Sequence, residues 1–315
     1  MRYLIFLCLL CAGCSSQSNF STTKLGNKVL ELTGILPATR TFEAARGLGD
    51  STVSLTSEQE YYLGRAVAAR IISIYPVSDD KKLTSYLNLV GQAVLASTDA
   101  PESFSGYHFA VLDSQEFNAI SAPSGFIFVS KTMIEKMPDE DALASVLAHE
   151  IAHVQLRHGL RSISKKRMDS IVKDLGRLAG SLQCNELLQG TAGVFSGVVG
   201  DLVENLVQKG YSREQELEAD GVAVRFLGTS GYSPFSIKEM LAILEHQTKL
   251  APQGGWFSTH PAAADRSLAV DTTLASYDKT LGKRGKTSRQ QRFDAVVRNN
   301  DEAQASSPAD AEKWH

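Results

Sequence analysis

The sequence predicts an α+β fold that is mostly helical, with a small β-sheet beside its most regular helix. Apolar residues recur at helical spacing in several segments, and the clearest of these runs from about Pro138 to His158. Two short segments, Tyr107 to Asp113 and Gly125 to Val129, have the alternation or the β-forming residues that are typical of strands. The chain has 315 residues, of which 43% are hydrophobic, so it is long enough to bury a core. Its net charge of −3 at pH 7 indicates no basic surface, which argues against nucleic acid as a partner.

The N-terminus has the pattern of an export signal and should not be counted with the fold. A short positive start, Met1-Arg2, precedes an apolar run, Tyr3 to Leu10, that is too short to span a bilayer as a helix. Small residues then lead to Cys14. This resembles a bacterial lipoprotein signal of residues 1–13, which implies cleavage before Cys14 and a lipid anchor attached to it. Because Ser15 rather than Asp follows, the bacterial sorting rule favours the periplasmic face of the outer membrane. A plain secretory signal or a membrane anchor is the alternative.

Three parts are expected after the signal. Residues 14–55 have no sustained period and many Ser, Thr and Gly, so they are predicted to form a lipid-anchored tether. Residues 56–272 contain the periodic segments and are predicted to form the folded domain. Residues 273–315 are polar and charged and are predicted to be a solvated tail. Cys184 would be the one thiol left in the mature chain, which cannot form an internal disulfide.

Each helix of the domain is predicted from its own cap or apolar stripe. The first begins at a capping box, Ser57 to Glu60, and continues with a stripe from Leu63 to Ile74. The longest begins with a proline and three acidic residues, Pro138 to Asp141, where the helix dipole favours negative charge. Gly159 is its expected end. Further helices are predicted over residues 83–94, 161–209, 214–227 and 234–247.

The longest helix carries the pattern His149-Glu150-Ile151-Ala152-His153. At 3.6 residues per turn, positions i and i+4 lie on one face, so both imidazoles can bind one zinc ion without bending the backbone. Glu150 points to the side, where it can act as the base for a zinc-bound water. A chance occurrence on a surface helix is disfavoured, because the histidines adjoin the apolar stripe. The pattern therefore predicts a catalytic site with one Zn²⁺ per chain.

A catalytic zinc site needs a third protein ligand and one open position. The residues after His153 do not continue the metzincin pattern, so a carboxylate on another helix is expected. Glu216 and Asp220 are four apart and share a helix face, and Asp220 is suited to orient a histidine through its free N–H. Glu214 and Glu218 remain competing ligands, because spacing favours Glu216 only through its Asp partner.

These residues together resemble the HtpX-, BepA- and LoiP-type zinc metallopeptidases, which are related to the CAAX-processing proteases. The resemblance covers about residues 57–270, and the lipoprotein signal looks closest to the LoiP branch. It rests on His149 to Val154 with Arg157-His158, on Tyr211 to Arg213 leading into Glu216 to Asp220, on Gly231 to Pro234, on Ser258 to Pro261 with Arg266, and on Asn118-Ala119 leading to Ser124 to Val129. The resemblance implies Glu216 as the third ligand and a gluzincin-type fold whose edge strand borders the active-site helix. The chain departs from the family at Ser124, where glycine is usual, which bears on the local backbone geometry.

The resemblance also gives roles to His260 and Arg266, which spacing alone leaves in a loop. It implies that both lie near the zinc, as the fourth ligand of a resting state or as groups that bind the oxyanion. His158 is different, because on a continuous helix it projects about 140° away from His153. We therefore expect His158 to be a packing or hydrogen-bonded histidine and not a ligand.

The expected reaction is hydrolysis of internal peptide bonds in unfolded or misassembled envelope proteins. The strand with Gly125, Phe126, Ile127 and Phe128 is expected to be an edge strand that pairs with an extended substrate. Small-residue helices at 176–200 are expected to cover the cleft as a lid. A rival function is that of a chaperone or assembly factor for outer-membrane proteins with the zinc site as scaffold, against which the retained general base argues. A zinc hydrolase of peptidoglycan cross-links is a third function, for which no glycan-binding segment is evident.

Overall fold

The structure is a computed structural model that describes residues 55, 57–98, 100–163, 196–250, 255–260, 263–283 and 285–299. Cys14, almost all of the predicted tether, Cys184 and most of the predicted lid lie outside the described residues. Within the ranges just given, no helix is both long and apolar enough to cross a membrane.

The described chain is mostly helical and has a small sheet, which confirms the predicted α+β class. The helices are α1 (Ser57–Ile74), α2 (Lys81–Leu95), α3 (Lys131–Lys136), α4 (Glu140–Gln155), α5 (His158–Arg161), α6 (Arg213–Ser230), α7 (Ser236–Leu250), α8 (Trp256–Thr259), α9 (Ala263–Leu274) and α10 (Lys286–Phe293). The strands are β1 (His108–Leu112), β2 (Ala119–Ala122) and β3 (Phe126–Ser130). A 3₁₀ turn spans Pro123–Gly125, and π-helical turns span Asn205–Lys209 and Asp294–Arg298.

The sheet has the strand order β1-β3-β2, with β3 parallel to β1 and antiparallel to β2. The prediction that Gly125, Phe126, Ile127 and Phe128 form an edge strand is therefore wrong. Both backbone edges of β3 are already paired, so its main chain cannot pair with a substrate. Residues 127–130 are all buried, and a strand buried on both faces has a continuous apolar sequence rather than an alternating one. The edge strand that borders α4 is β2, which has four residues and only one strong β-former, Ile120, and therefore gives little strand signal.

A tight turn between β2 and β3 contains the serine that departs from the family pattern. Ser124 has φ 63° and Gly125 has φ 96°. Positive φ usually selects glycine, because a Cβ crowds the backbone there. Ser124 therefore adopts the backbone conformation that a glycine would adopt. α1 packs directly on this turn, since a Cβ added to Gly64 would lie 2.0 Å from the carbonyl oxygen of Pro123.

Helix α4 runs through the middle of the main core. Its N-cap is Asp139, whose side chain accepts a hydrogen bond from the backbone N–H of Ala142. Every residue of α4 before Gln155 is buried, and the helix packs against α2, α6, α7 and β2. The predicted end at Gly159 is wrong, because Arg157 takes φ 55° and breaks the helix two residues earlier.

The chain after residue 285 folds back onto the domain, so the predicted polar tail is wrong for residues 286–298. Phe293 and Val297 are 0% and 2% exposed and join the core around α4. Arg292 lies 2.6 Å from the carboxylate of Glu140 in the first turn of α4. The composition of residues 286–298 does not indicate that they pack on the core. Their apolar face is narrow, and it is surrounded by charged residues that pair with acids of the domain.

Candidate active site

Helices α4 and α6 bring the predicted ligands together. His149 and His153 lie one turn apart on α4, with their Nε2 atoms 3.0 Å from each other. Glu216 of α6 lies across from them, with Oε2 3.5 Å from Nε2 of His149 and Oε1 3.5 Å from Nε2 of His153. His260 joins them, since its Nδ1 is 2.9 Å from Oε1 of Glu216. One ligand atom from each of these four buried residues lies within 4.8 Å of the others.

This four-residue cluster has the donor set of a catalytic zinc site. Imidazole nitrogens and a carboxylate oxygen are the ligands that such sites use, typically three from the protein with one further position. A buried imidazole nitrogen needs a partner, and two such nitrogens that face each other fit a shared cation well. The residues present therefore fit a metal ion.

Asp220 and Arg266 contact the cluster residues His149 and Glu216 on the side away from the shared ligand atoms. Asp220 lies one turn after Glu216 on α6, and its Oδ1 is 3.0 Å from Nδ1 of His149. Arg266 is 1% exposed and holds both carboxylates, with Nε and Nη2 at 2.7 and 2.8 Å from Asp220 and Nη1 at 2.7 Å from Oε2 of Glu216. All three guanidinium nitrogens thus contact carboxylates, which favours a holding role for Arg266 over the predicted oxyanion role.

The competing carboxylates of α6 point elsewhere. Glu214 is exposed in the first turn of the helix, after the capping box that Ser212 forms with Gln215. Glu218 contacts His158 and Arg161 on another side of α6. Glu216 is therefore the glutamate of α6 that the fold directs into the cluster.

Glu150 lies next to the first histidine and is fully buried. The indole N–H of Trp256 donates to its Oε1 at 3.1 Å, and Nε2 of His260 lies 3.7 Å from the same oxygen. Oε2 has no hydrogen-bond partner among the described residues. One oxygen is thus held by the protein, and the other is available to accept a proton.

Comparison with known proteins gives the family of this chain. Residues 81–274, which are more than half of the chain, match the family described as "Peptidase family M48". The chain belongs to peptidase family M48. The matched range includes the sheet, α4, α6, His260 and Arg266. M48 membership confirms the resemblance drawn from the motifs, and it supports the predicted metalloendopeptidase activity.

Named M48 relatives differ in how much of their length this chain covers. It is 25% identical over 238 residues to the beta-barrel assembly-enhancing protease of Yersinia pestis, which is 75% of this chain but 48% of the relative. It is 27% identical over 265 residues to metalloprotease LoiP of Escherichia coli, which is 81% of this chain and 94% of the relative. It is 24% identical over 244 residues to a protease HtpX homolog of Gemmatimonas aurantiaca, or 64% and 85% of the two chains. The chain thus spans about half the length of the beta-barrel assembly-enhancing proteases that it matches.

Burial and neighbouring charges shift the pKa values of the residues in the M48 site when no metal is bound. Burial lowers the pKa of His149, but Asp220 and Glu216 outweigh it and raise that pKa to about 9. Burial and the charge on His149 lower the pKa of His153 well below its ordinary value. For Glu216, burial works against the charged form, yet His260 and Arg266 hold the pKa well below its usual range. Metal binding requires neutral imidazoles and an ionised carboxylate, so the pKa shifts of His153 and Glu216 favour it, whereas the raised pKa of His149 opposes it.

Two aromatic residues complete the M48 site, and the sequence gives only weak signals for them. The ring of Tyr211 stacks on His153, with ring centres 4.0 Å apart and planes at 15°. Tyr211 belongs to the motif before α6, but nothing in its spacing indicates this contact. Trp256 is the first residue of α8 and packs nearly perpendicular to His149, with ring centres 5.5 Å apart. A buried indole needs an acceptor for its N–H, and here that acceptor is Glu150.

Proposed function

We propose that this protein is a zinc-dependent endopeptidase of the bacterial envelope. The observation that carries the proposal is the convergence of His149, His153 and Glu216, with Glu150 beside them and one of its oxygens free of other partners among the described residues. Membership in the M48 family supports the same activity. The natural substrates are, in this proposal, unfolded or misassembled outer-membrane and periplasmic proteins.

The residues that would hold the zinc ion are His149, His153 and Glu216, with His260 as the fourth donor of a resting state. When bound there, zinc supplies Lewis acidity, which polarises the scissile carbonyl and makes water more acidic. Asp220, whose Oδ1 lies 3.0 Å from Nδ1 of His149, would orient that ring, and Arg266 keeps Asp220 and Glu216 in place and ionised.

Glu150 is the general base and acid of the proposed reaction. Trp256 holds its carboxylate through Oε1, which leaves Oε2 without a hydrogen-bond partner among the described residues and able to accept a proton from water. Oε2 takes the water's proton and then returns it to the leaving amine. A positioned group of this kind typically contributes about 10²–10⁴-fold to the rate.

In this proposal an extended substrate pairs with the backbone of β2, because β2 is the edge strand of the described sheet that borders α4. Such pairing reads the main chain more than the side chains, which suits unfolded clients of varied sequence. The signal before Cys14 supports a place at the outer membrane. Similarity to proteins named for beta-barrel assembly supports envelope proteins as substrates.

The proposal is tested by the substitution Glu150→Gln, which keeps size and hydrogen bonding but removes the base. Cleavage of casein or of unfolded outer-membrane protein should fall by about 10²–10⁴-fold, while elemental analysis still finds one zinc per chain. Glu214→Gln on the exposed side of α6 is the matched control and should cleave like the wild type. If the Glu150→Gln variant kept full envelope function with zinc bound, the chaperone function would replace the protease.

The proposed location has its own test. Cys14→Ala should move the protein from the membrane fraction to the soluble fraction and abolish labelling with palmitate. Palmitate labelling that persists in this variant would contradict the lipid anchor, without affecting the proposed chemistry.

A further inference from the structure

A chain of hydrogen-bonded side chains leads from His153 of the four-residue cluster through His158 to the surface. Nδ1 of His158 lies 2.8 Å from Nδ1 of His153, the ring nitrogen that does not face Glu216. Nε2 of His158 lies 3.2 Å from Oε2 of Glu218. Both histidine side chains are fully buried, whereas the side chain of Glu218 is 42% exposed. His153 is thus connected through His158 to a solvated carboxylate.

The helix break after α4 is what brings His158 to His153. On a continuous helix, a residue five positions later would project about 140° away. Arg157 instead takes the left-handed conformation, with φ 55°, and α5 begins at His158. The ring of His158 therefore returns to pack edge-on against the ring of His153, with centres 4.9 Å apart.

The positions of the hydrogens follow from the partners of each nitrogen. His153 presents Nε2 to the cluster, and a metal ligand needs a lone pair there, so its hydrogen must be on Nδ1. That hydrogen can only be donated to Nδ1 of His158, which then carries its own hydrogen on Nε2. Glu218 accepts this second hydrogen. The chain thus has a single consistent direction, from His153 through His158 to Glu218.

His149 is held in a simpler way. Its Nδ1 lies 3.0 Å from Asp220, so a carboxylate contacts the ligand directly. Metal-binding histidines commonly donate their second N–H to a carboxylate, which fixes the tautomer and the ring orientation. For His153 an imidazole stands between the ligand and the carboxylate. Both carboxylates come from α6, where Glu218 and Asp220 are two residues apart.

We propose that His158 and Glu218 are positioning residues that hold His153 in the tautomer and orientation in which Nε2 binds zinc. The inference rests on the proposed zinc site and adds two residues outside its ligands. Removal of this support should weaken zinc binding by roughly 10–100-fold, the usual effect of losing a group that orients a ligand. Catalysis should fall as a consequence of the poorer metal site.

The test measures zinc affinity by competition with a chromophoric chelator. His158→Phe keeps an aromatic ring but removes both nitrogens, and should weaken zinc binding by roughly 10–100-fold. His158→Gln offers an acceptor and a donor, and should restore part of that loss. Arg161→Met is the matched control, because it removes the surface partner of Glu218, 3.0 Å away, and leaves the hydrogen-bonded chain intact.

The same comparison at Glu218 does not depend on the folding of a core variant. Glu218→Leu should weaken zinc binding, and Glu218→Gln should recover it, because the amide oxygen still accepts from His158. If Glu218→Leu and Glu218→Gln bind zinc equally well, the positioning role is wrong. It is also wrong if His158→Phe and His158→Gln lose affinity and thermal stability equally, since His158 would then be a packing residue.

Failure of this inference can be told apart from failure of the proposed function. A wild-type protein that binds no zinc would refute the proposed function itself. A wild-type protein with one tightly bound zinc, and variants at His158 and Glu218 that bind it equally tightly, would refute only the positioning role.

Discussion

The buried guanidinium of Arg266 allows a sharp test of how the ligand carboxylate is held. Arg266→Met keeps much of the side-chain length but removes the charge between Glu216 and Asp220. Both carboxylates would then remain buried without this cation, so the free energy of unfolding of the metal-free protein should fall by about 3–5 kcal/mol. For a domain of this size each kcal/mol corresponds to roughly 2–4 °C, so Tm should fall by roughly 6–20 °C.

The matched control is Arg213→Met. Arg213 lies 2.9 Å from Asp265, but the two side chains are 59% and 54% exposed. Such a solvated pair contributes about 0–1 kcal/mol, so the same substitution should lower Tm by less than about 4 °C. Thermal unfolding followed by circular dichroism, with a chelator present throughout, measures both variants without interference from the metal.

The difference in stability between the wild type and Arg266→Met should depend on pH in a definite direction. Burial works against ionised Asp220, but Arg266 and His149 lower its pKa, and His260 and Arg266 do the same for Glu216. The stability that these carboxylates contribute is present above their ordinary pKa and is lost as pH falls through the lowered one. The difference in Tm between the wild type and Arg266→Met should therefore become smaller at acid pH. Equal Tm losses for Arg266→Met and Arg213→Met, or a gap that does not change with pH, would refute this account.

Three further predictions concern the ligands and the core. Glu216→Ala should lose zinc by elemental analysis, whereas Glu214→Ala should retain it, and the reverse result would show that the third ligand is misassigned. Since the pKa of His149 in the metal-free protein is about 9, zinc binding at pH 7 should release a proton, and affinity should rise by roughly tenfold per unit between pH 7 and 9. Calorimetry in buffers of different ionisation enthalpy measures that release, and no buffer dependence would contradict it. Phe293→Ala should cost about 3–5 kcal/mol in urea unfolding, whereas Leu268→Ala, at a side chain 71% exposed, should cost within about 0.5 kcal/mol.

The helix that carries His149 and His153 was predictable because several independent signals agree over one segment. An acidic first turn, an apolar stripe and two histidines four apart all indicate the same helix between Pro138 and His158. The place of Glu216 in the cluster was predictable only in part, because Asp220 four residues later is the one local feature that separates it from Glu214 and Glu218. Tertiary packing decides among them, since Arg266 and the histidines of α4 meet one face of α6.

The features that the sequence did not predict are those that depend on contacts between distant segments. β2 has small residues and no alternation, and it is a strand because β3 and α4 flank it. His158 has no pattern that reveals the backbone break at Arg157, since a non-glycine residue at positive φ is uncommon. The contact between Trp256 and Glu150 joins residues more than a hundred positions apart, which no local spacing encodes.

The packing of α10 against the first turn of α4 has a consequence for the timing of biosynthesis. Glu140 is 1% exposed and accepts hydrogen bonds from Tyr86 and Tyr232, but its countercharge is Arg292, which emerges from the ribosome more than 150 residues later. Phe293 closes the core on the same side. A nascent chain, or one cut short before α10, therefore lacks the countercharge of Glu140 and the apolar cover that Phe293 provides. The helix that carries His149 and His153 therefore reaches its final packing only after residues 286–298 have been synthesised and have docked on it.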